Sequence, residues 1–302
     1  MKRFEIVPNF SEGRRQEVID ALCDCYRDEP GSLLLDYEFD QDHNRCVLTA
    51  VGTKEALIEA TLRACRIAMR EIDLNRHEGG HPRMGALDVL PFLPLEDATM
   101  EDAVEAAHAL GQRMWDELQI PVYYYEEASI GPKRLLPQIR KGNFEGLREA
   151  VKTDASRRPD VGGPDLHPTF GASVLGARKP LVAFNVYLRT LDLDIAKAIA
   201  KSVRESSGGL RNVRAIAIDT TAQGTVQVSM NLVDVEETPI YRAFDFVAAE
   251  AAHHGVSVSH AEIVGLVPLA AMLAVATRSL RLQGFHEQQV LEVRLAREGR
   301  SE

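Results

Sequence analysis

The stretch from Leu181 to Asp234, "LVAFNVYLRTLDLDIAKAIAKSVRESSGGLRNVRAIAIDTTAQGTVQVSMNLVD", holds three strands and one helix in an order that few folds accept. "LVAFNVYL" is a short apolar run rich in β-branched and aromatic residues, the pattern of a buried strand. "LDIAKAIAKSVRES", from Leu193, brings back apolar residues at helical spacing and stops at Ser207-Gly208-Gly209. "VRAIAID" and "TVQVSMNLVD" alternate apolar with polar residues and are joined near Gln223-Gly224, so they read as two neighbouring strands. A second helix is predicted over "TPIYRAFDFVAAEAAHHG", with Thr238 as N-cap and Gly255 as stop. "VSVSHAEIVGLVP" supplies one more strand, and helical patterns continue toward the C-terminus. The resulting order, β-α-β-β-α-β, is the ferredoxin-like split βαβ arrangement.

Working back toward the N-terminus, the same order recurs. "RFEIVP" is a strand, "RRQEVIDALCDCYRDE" a helix, and "SLLLDYEFD" and "RCVLTAVG" are strands. "TKEALIEATLRACRIAMREI" is a helix and "ALDVLPFLPL" a strand, with a helix near "TMEDAVEAAHALGQRMWDEL" and a strand "PVYYYE" appended. Between the halves, "RRPDVGGPDLHPTFGASVLGARKP" is rich in glycine and proline and has little periodicity, so it is expected to be a linker or a functional loop. The boundary is placed near Lys179-Pro180, giving domains 1–179 and 180–302. In such a unit both helices cover one sheet face, and two units can bury their bare faces against each other with a cleft between. The expected class is therefore α+β, an α/β sandwich of two ferredoxin-like subdomains.

Composition narrows the function. With 302 residues and 45% of them hydrophobic, the chain suits one large domain or two of roughly 150 residues. A formal net charge of −10 argues against a nucleic acid or an anionic membrane as the main partner, though a local cationic pocket can still bind a small anion. The first residues lack the apolar core of a signal peptide, and no run of eighteen apolar residues occurs, so a cytoplasmic protein is expected. Cys23, Cys25, Cys46 and Cys65 fit no zinc-knuckle spacing and are read as reduced, mostly buried thiols.

Asn75 to Asp88, "NRHEGGHPRMGALD", contains H-E-x-x-H, the zinc-peptidase pattern. That chemistry needs both histidines on one helical face. Gly79 and Gly80 disfavour a helix, and Pro82 pushes His81 toward extended geometry. The stretch should be a loop, presenting His81 at a strand edge as a general base with a pKa near neutrality. "DYEFDQDHNR", Asp36 to Arg45, crowds acids, a histidine and an arginine at a strand turn. In "NFSEGRRQE", Ser11 is placed as an N-cap whose helix leaves backbone N–H groups open to an anion. No nucleophile elbow, P-loop or dinucleotide fingerprint occurs.

Taken together, "VPNFSEGR", Asn44-Arg45, "HPRMGALDV", "GASVLGARK", "AFNVYL" and "EIVGLVPLAA" resemble the folate-dependent glutamate formimidoyltransferases, or formiminotransferases. The likeness is collinear from about Arg3 to about Leu295. It implies two subdomains whose sheets face across a ligand tunnel, a homodimer, tetrahydrofolate as carrier and substrate, L-glutamate as the other substrate, and no metal. It assigns the catalytic histidine to His81. It also implies folate contacts from Gly162, Gly163, Pro164, Asp165, Leu166, His167, Pro168, Thr169, Phe170 and Gly171. Where the family commonly has aspartate this sequence has Glu38, one methylene longer, with Asp40 as a substitute.

The implied reaction moves a formimino group between N5 of tetrahydrofolate and the amine of glutamate, late in histidine breakdown. A neutral imidazole at His81 would take the amine's proton, Glu38 or Asp40 would steady a cationic donor and orient His81, and Arg45 or Arg83 would bind a carboxylate. Alternatives are a formyltransferase using the same pocket, a noncatalytic folate-binding protein and a zinc peptidase.

Overall fold

Residues 1–298 are described by the computed structural model, in which a first unit, Met1–Arg178, separates from a second that begins at Lys179. In the first unit, β1 (Arg3–Ile6) and β2 (Asn9–Phe10) are one strand interrupted at Val7-Pro8. Both pair antiparallel with β4 (Arg45–Gly52) and with β5 (Leu87–Leu95), and β3 (Ser32–Asp40) pairs with β4. Helices α1 (Gln16–Arg27) and α2 (Lys54–Glu71) supply the crossovers. Alternation in β4 explains which face the helices cover. Cys46, Leu48 and Ala50 are buried, while Arg45, Val47 and Thr49 on the other face are only partly so. Leu57, Ile58 and Leu62 of α2 join the same core, and Thr53 caps that helix by accepting the Ala56 N–H. The resulting strand order, β3-β4-β1/β2-β5, is the ferredoxin-like one.

Two further strands extend this sheet. Helix α3 (Met100–Leu118) leads to β6 (Val122–Glu126), and β7 (Ser173–Ala177) lies parallel between β5 and β6. Here the structure corrects the expectation of an irregular connector, because β7 is a fully buried interior strand. Five residues buried on both faces show no alternation, and Gly171 before the strand and Gly176 within it hide so short an element from any periodicity test. Gly176 is required there, since a Cβ would lie 2.2 Å from the Tyr125 ring. Two short helices that periodicity also passed over, α4 (Leu136–Ile139) and α5 (Asn143–Thr153), connect β6 toward β7. All four cysteines are buried and unpaired, and burial pushes the Cys23 and Cys25 thiols up to about 11.

The second unit follows the predicted order. Strands β8 (Val182–Leu188), β9 (Val213–Thr220), β10 (Thr225–Leu232) and β11 (Val258–Val264) form an antiparallel sheet ordered β11-β8-β10-β9. Val182, Phe184, Val186 and Leu188 of β8 pack with Val226, Val228 and Met230 of β10 under α6 (Leu193–Val203) and α7 (Ile240–His253). Asp192 caps α6 by accepting the Asp194 N–H. Thr238 is not the cap of α7, which begins after Pro239; its hydroxyl instead donates to the Arg211 carbonyl at 2.7 Å. Helices α8 (Leu269–Leu280) and α9 (Leu291–Glu298) follow. Among the described residues no helix is long and apolar enough to cross a membrane. The fold class is thus α+β, built from two sheets.

Candidate active site

Residues 77–84 have no regular secondary structure, so the helical premise of the zinc-peptidase pattern fails in the fold as it does on the page of the sequence. His77, expected at a solvent-prone loop entry, is half-buried with both ring nitrogens engaged. Nδ1 accepts from Arg83 Nε at 2.8 Å, which leaves the proton on Nε2 to face the Asn44 carbonyl at 2.9 Å. Burial lowers its pKa.

The end of the loop is clamped by neighbouring backbone. Ala172 N–H donates to the Met84 carbonyl, Ala86 N–H to the Phe170 carbonyl and Ser11 N–H to the Ala86 carbonyl, at 2.8–2.9 Å. Gly85 is needed in that clamp, because a Cβ would sit 2.2 Å from the Ala172 carbonyl oxygen. Ser11 is therefore not an N-cap; its hydroxyl donates to the Gly85 carbonyl at 2.8 Å. The residue that serves the start of α1 is Glu12, whose carboxylate accepts the Arg14 and Arg15 N–H groups and the Arg15 guanidinium. Burial alone would raise the Glu12 pKa, but those hydrogen bonds outweigh it and hold it low. Two of the backbone N–H groups at this helix start, those of Arg14 and Arg15, are thus already bound.

His81 lies half-buried in a cleft lined by Asn9, Ser11, His43, Asn44, Arg45 and Asp88. The cleft contains about 200 Å³ between atoms, counting the solvent at its mouth. The His43 ring meets His81 edge to face, 6.3 Å between centroids. Burial, then Arg45, Arg140 and His43, drives the His81 pKa down to about 3. This corrects the expectation of a near-neutral value: the imidazole is uncharged throughout the physiological range, and it is a weak base while burial and the arginines around it go uncompensated. Because the pKa is lowered, protonation of the free protein at His81 starts only far below pH 6.5. The acid limb of kcat/KM should accordingly lie well under pH 6, and a limb between pH 6 and 7 would show an ordinary, solvated imidazole.

Two residues that sequence reasoning left unassigned support the cleft, Asp88 in its lining and Arg140 behind it. Asp88, 3% exposed at the start of β5, accepts the Met84 N–H at 2.8 Å with one oxygen and the Arg140 guanidinium with the other. Arg140, at the end of α4, lies close enough to Arg45 to disfavour its charge. A lone acid inside the apolar run "LDVLPFLPL" was the available signal for Asp88. Arg140 had none, since "LLPQIRKGNF" reads as surface.

The other expected residues fall as follows. Glu38 is exposed on β3, opposite Val47. Asp40 does not orient His81. It accepts the His43 N–H at 2.8 Å and faces His43 Nδ1 at 3.0 Å, and those contacts lower its pKa, the backbone one most. Arg83 is not available to a ligand carboxylate, because its guanidinium grips Glu145 at 2.8 and 3.3 Å and the His77 carbonyl at 3.0 Å. It acts as a strut between the loop and α5. Arg83 and Arg45 both line the cleft, but Arg45 makes no ion pair among the described residues. In the connector, Gly162, Pro164, Asp165 and Pro168 are exposed, whereas Phe170 is fully buried and Leu166 nearly so. Phe170 therefore gives its ring to the core rather than to a ligand. His167 tightens the turn by accepting the Phe170 N–H at 3.0 Å, and Gly171 packs against the Met84 carbonyl at a φ of +80°.

Comparison with known proteins fits this arrangement. Residues 3–178 match the model of the formiminotransferase domain, N-terminal subdomain, and residues 183–299 match that of the formiminotransferase domain. A glutamate formimidoyltransferase of Streptococcus pyogenes serotype M1 is 42% identical over 293 residues, 96% of this chain and 98% of that one. One from Thermoplasma acidophilum is 43% identical over 97% of each chain. The formimidoyltransferase-cyclodeaminase of Mus musculus is 43% identical over 90% of this chain, matching 51% of its own length. The chain belongs to the formiminotransferase family.

Proposed function

We propose that the protein transfers a formimino group between N5 of tetrahydrofolate and the amine of L-glutamate, a step of histidine breakdown, with His81 moving the proton. The observation that carries this reading is His81 itself, an uncharged imidazole held at a cleft by a backbone clamp, in a chain whose near full-length relatives are named glutamate formimidoyltransferases. In the transfer, the amine nitrogen bonds to the formimino carbon as His81 accepts the amine proton. The carbon–N5 bond then breaks, and His81 returns the proton to N5. The cationic surroundings that keep His81 neutral also disfavour an ammonium group, which raises the share of free amine able to attack.

The carboxylate support first assigned to Glu38 and Asp40 is not part of this reading, since Glu38 is exposed on β3 and Asp40 is engaged by His43. Charge balance for a cationic donor then falls to the carboxylates of the substrates. A cationic cleft is the one observation favouring the neutral formyl donor as a second reading. The deciding experiment gives the purified protein L-glutamate with 5-formimino- or 5-formyltetrahydrofolate. Formimino is expected to be the better donor in kcat/KM by at least about tenfold, the worth of roughly one charge-assisted hydrogen bond. A preference for formyl would overturn the assignment, and turnover with neither would leave a folate-binding protein.

A further inference from the structure

Among the described residues, Asp88 is the one carboxylate within ion-pair distance of Arg45 or Arg140. Asp88 pairs with Arg140, and its second oxygen is already committed to the Met84 N–H. No carboxylate lies within ion-pair distance of Arg45 among the described residues. The Nε atoms of both arginines are buried and have no hydrogen-bond partner. Nearby acids cannot make up the deficit, because Glu12 is bound by Arg15 and Asp40 by His43. A buried guanidinium Nε–H without an acceptor is costly, and the planar fork of arginine is matched to a carboxylate. Arg45 also lines the cleft that contains His81.

We infer that Arg45 and Arg140 together seat one carboxylate of a glutamate-type ligand beside His81, with Asp88 as the residue that positions Arg140. The inference rests on the transfer reading for the identity of the ligand and on the cleft for the seat itself. It has a functional consequence. Arg45 and Arg140 are among the groups that disfavour protonation of His81, so a carboxylate between them cancels part of their field. The imidazole is then a stronger base with the acidic substrate in place than without it, and proton transfer is coupled to occupancy of the seat.

Two sources share this chemistry, the acceptor glutamate and the glutamyl tail of the folate. The test titrates the His81 ring by NMR in the intact protein, with and without saturating glutarate, which has both carboxylates and no amine to react. Glutarate should raise the proton affinity of His81 by tenfold or more. Arg140→Gln and Arg45→Gln should each weaken glutarate binding by roughly 10- to 100-fold, the range of a lost charge-assisted hydrogen bond, and should abolish the rise. Arg140→Lys retains the charge and guards against a folding defect, and it should keep part of both effects. Tetrahydrofolate and tail-less tetrahydropteroate are measured in parallel. If Arg140→Gln weakens only the tail-bearing compound, the seat holds the tail; if it weakens glutarate alone, the seat holds the acceptor. Binding of glutarate and both pterins within threefold of the parent in both Gln variants overturns the proposal, as does an unmoved His81 titration in the parent. None of these readouts requires turnover, so they stand apart from the outcome of the donor comparison.

Discussion

Replacing His81 by alanine should lower kcat for formimino transfer by about 10²–10⁴-fold, the usual loss when a general base is removed. The denaturation midpoint and the affinity for tetrahydrofolate should stay near those of the parent. The reason lies in what holds the loop. Backbone bonds from Ala86 to Phe170, from Ala172 to Met84 and from Phe144 to Arg83 fix its course without using the imidazole. Steady-state kinetics with calorimetric folate binding checks both halves. Activity within about threefold of the parent would remove His81 from the chemistry, and a large fall in the denaturation midpoint would show that the ring is structural.

The second large effect is on stability. Asp88→Asn leaves Arg140 beside Arg45 with no anion between them, and breaking a buried ion pair from one side typically costs about 3–5 kcal/mol. A fall of that size in the unfolding free energy, obtained from denaturant titration, is expected at neutral pH. The double variant Asp88→Leu/Arg140→Met should recover part of the loss, because it removes both charges of the pair together, while the Met84 N–H loses its acceptor. A single variant within about 1 kcal/mol of the parent would mean that water relieves the charge, and that Asp88 is not the anchor described here.

Most elements were legible because each is set by one local signal. Alternation marks β4, β9 and β10, apolar residues at helical spacing mark α2, and the Gly-Gly-His-Pro run rules out a helix around His81. What escaped is what depends on distant partners. The family resemblance puts the aromatic ring of Phe170 in the folate-contacting connector, yet the core claims it. Ser11 looked like a cap because a serine precedes a helix, yet its hydroxyl serves a carbonyl 74 residues away. Arg140 reaches Asp88 across 52 residues, and nothing within a turn of either predicts the pair. The depressed basicity of His81 is of the same kind, since it comes from burial and from arginines on other segments.

The position of β7 has a consequence for synthesis on the ribosome. The chain leaves the exit tunnel with β5 first, then β6, and only afterwards the strand that separates them in the sheet. Until residues 173–177 emerge, β6 has no ladder partner, since its pairing in the finished sheet is with β7. Bringing strands together across so much intervening chain carries a closure entropy that local hairpins avoid. The first unit of the nascent chain is therefore sealed by almost its last residues, and the same closing segment, from Phe170 to Ala172, clamps the backbone that follows His81. The loop that bears the histidine gains its shape only when translation of this unit is nearly done.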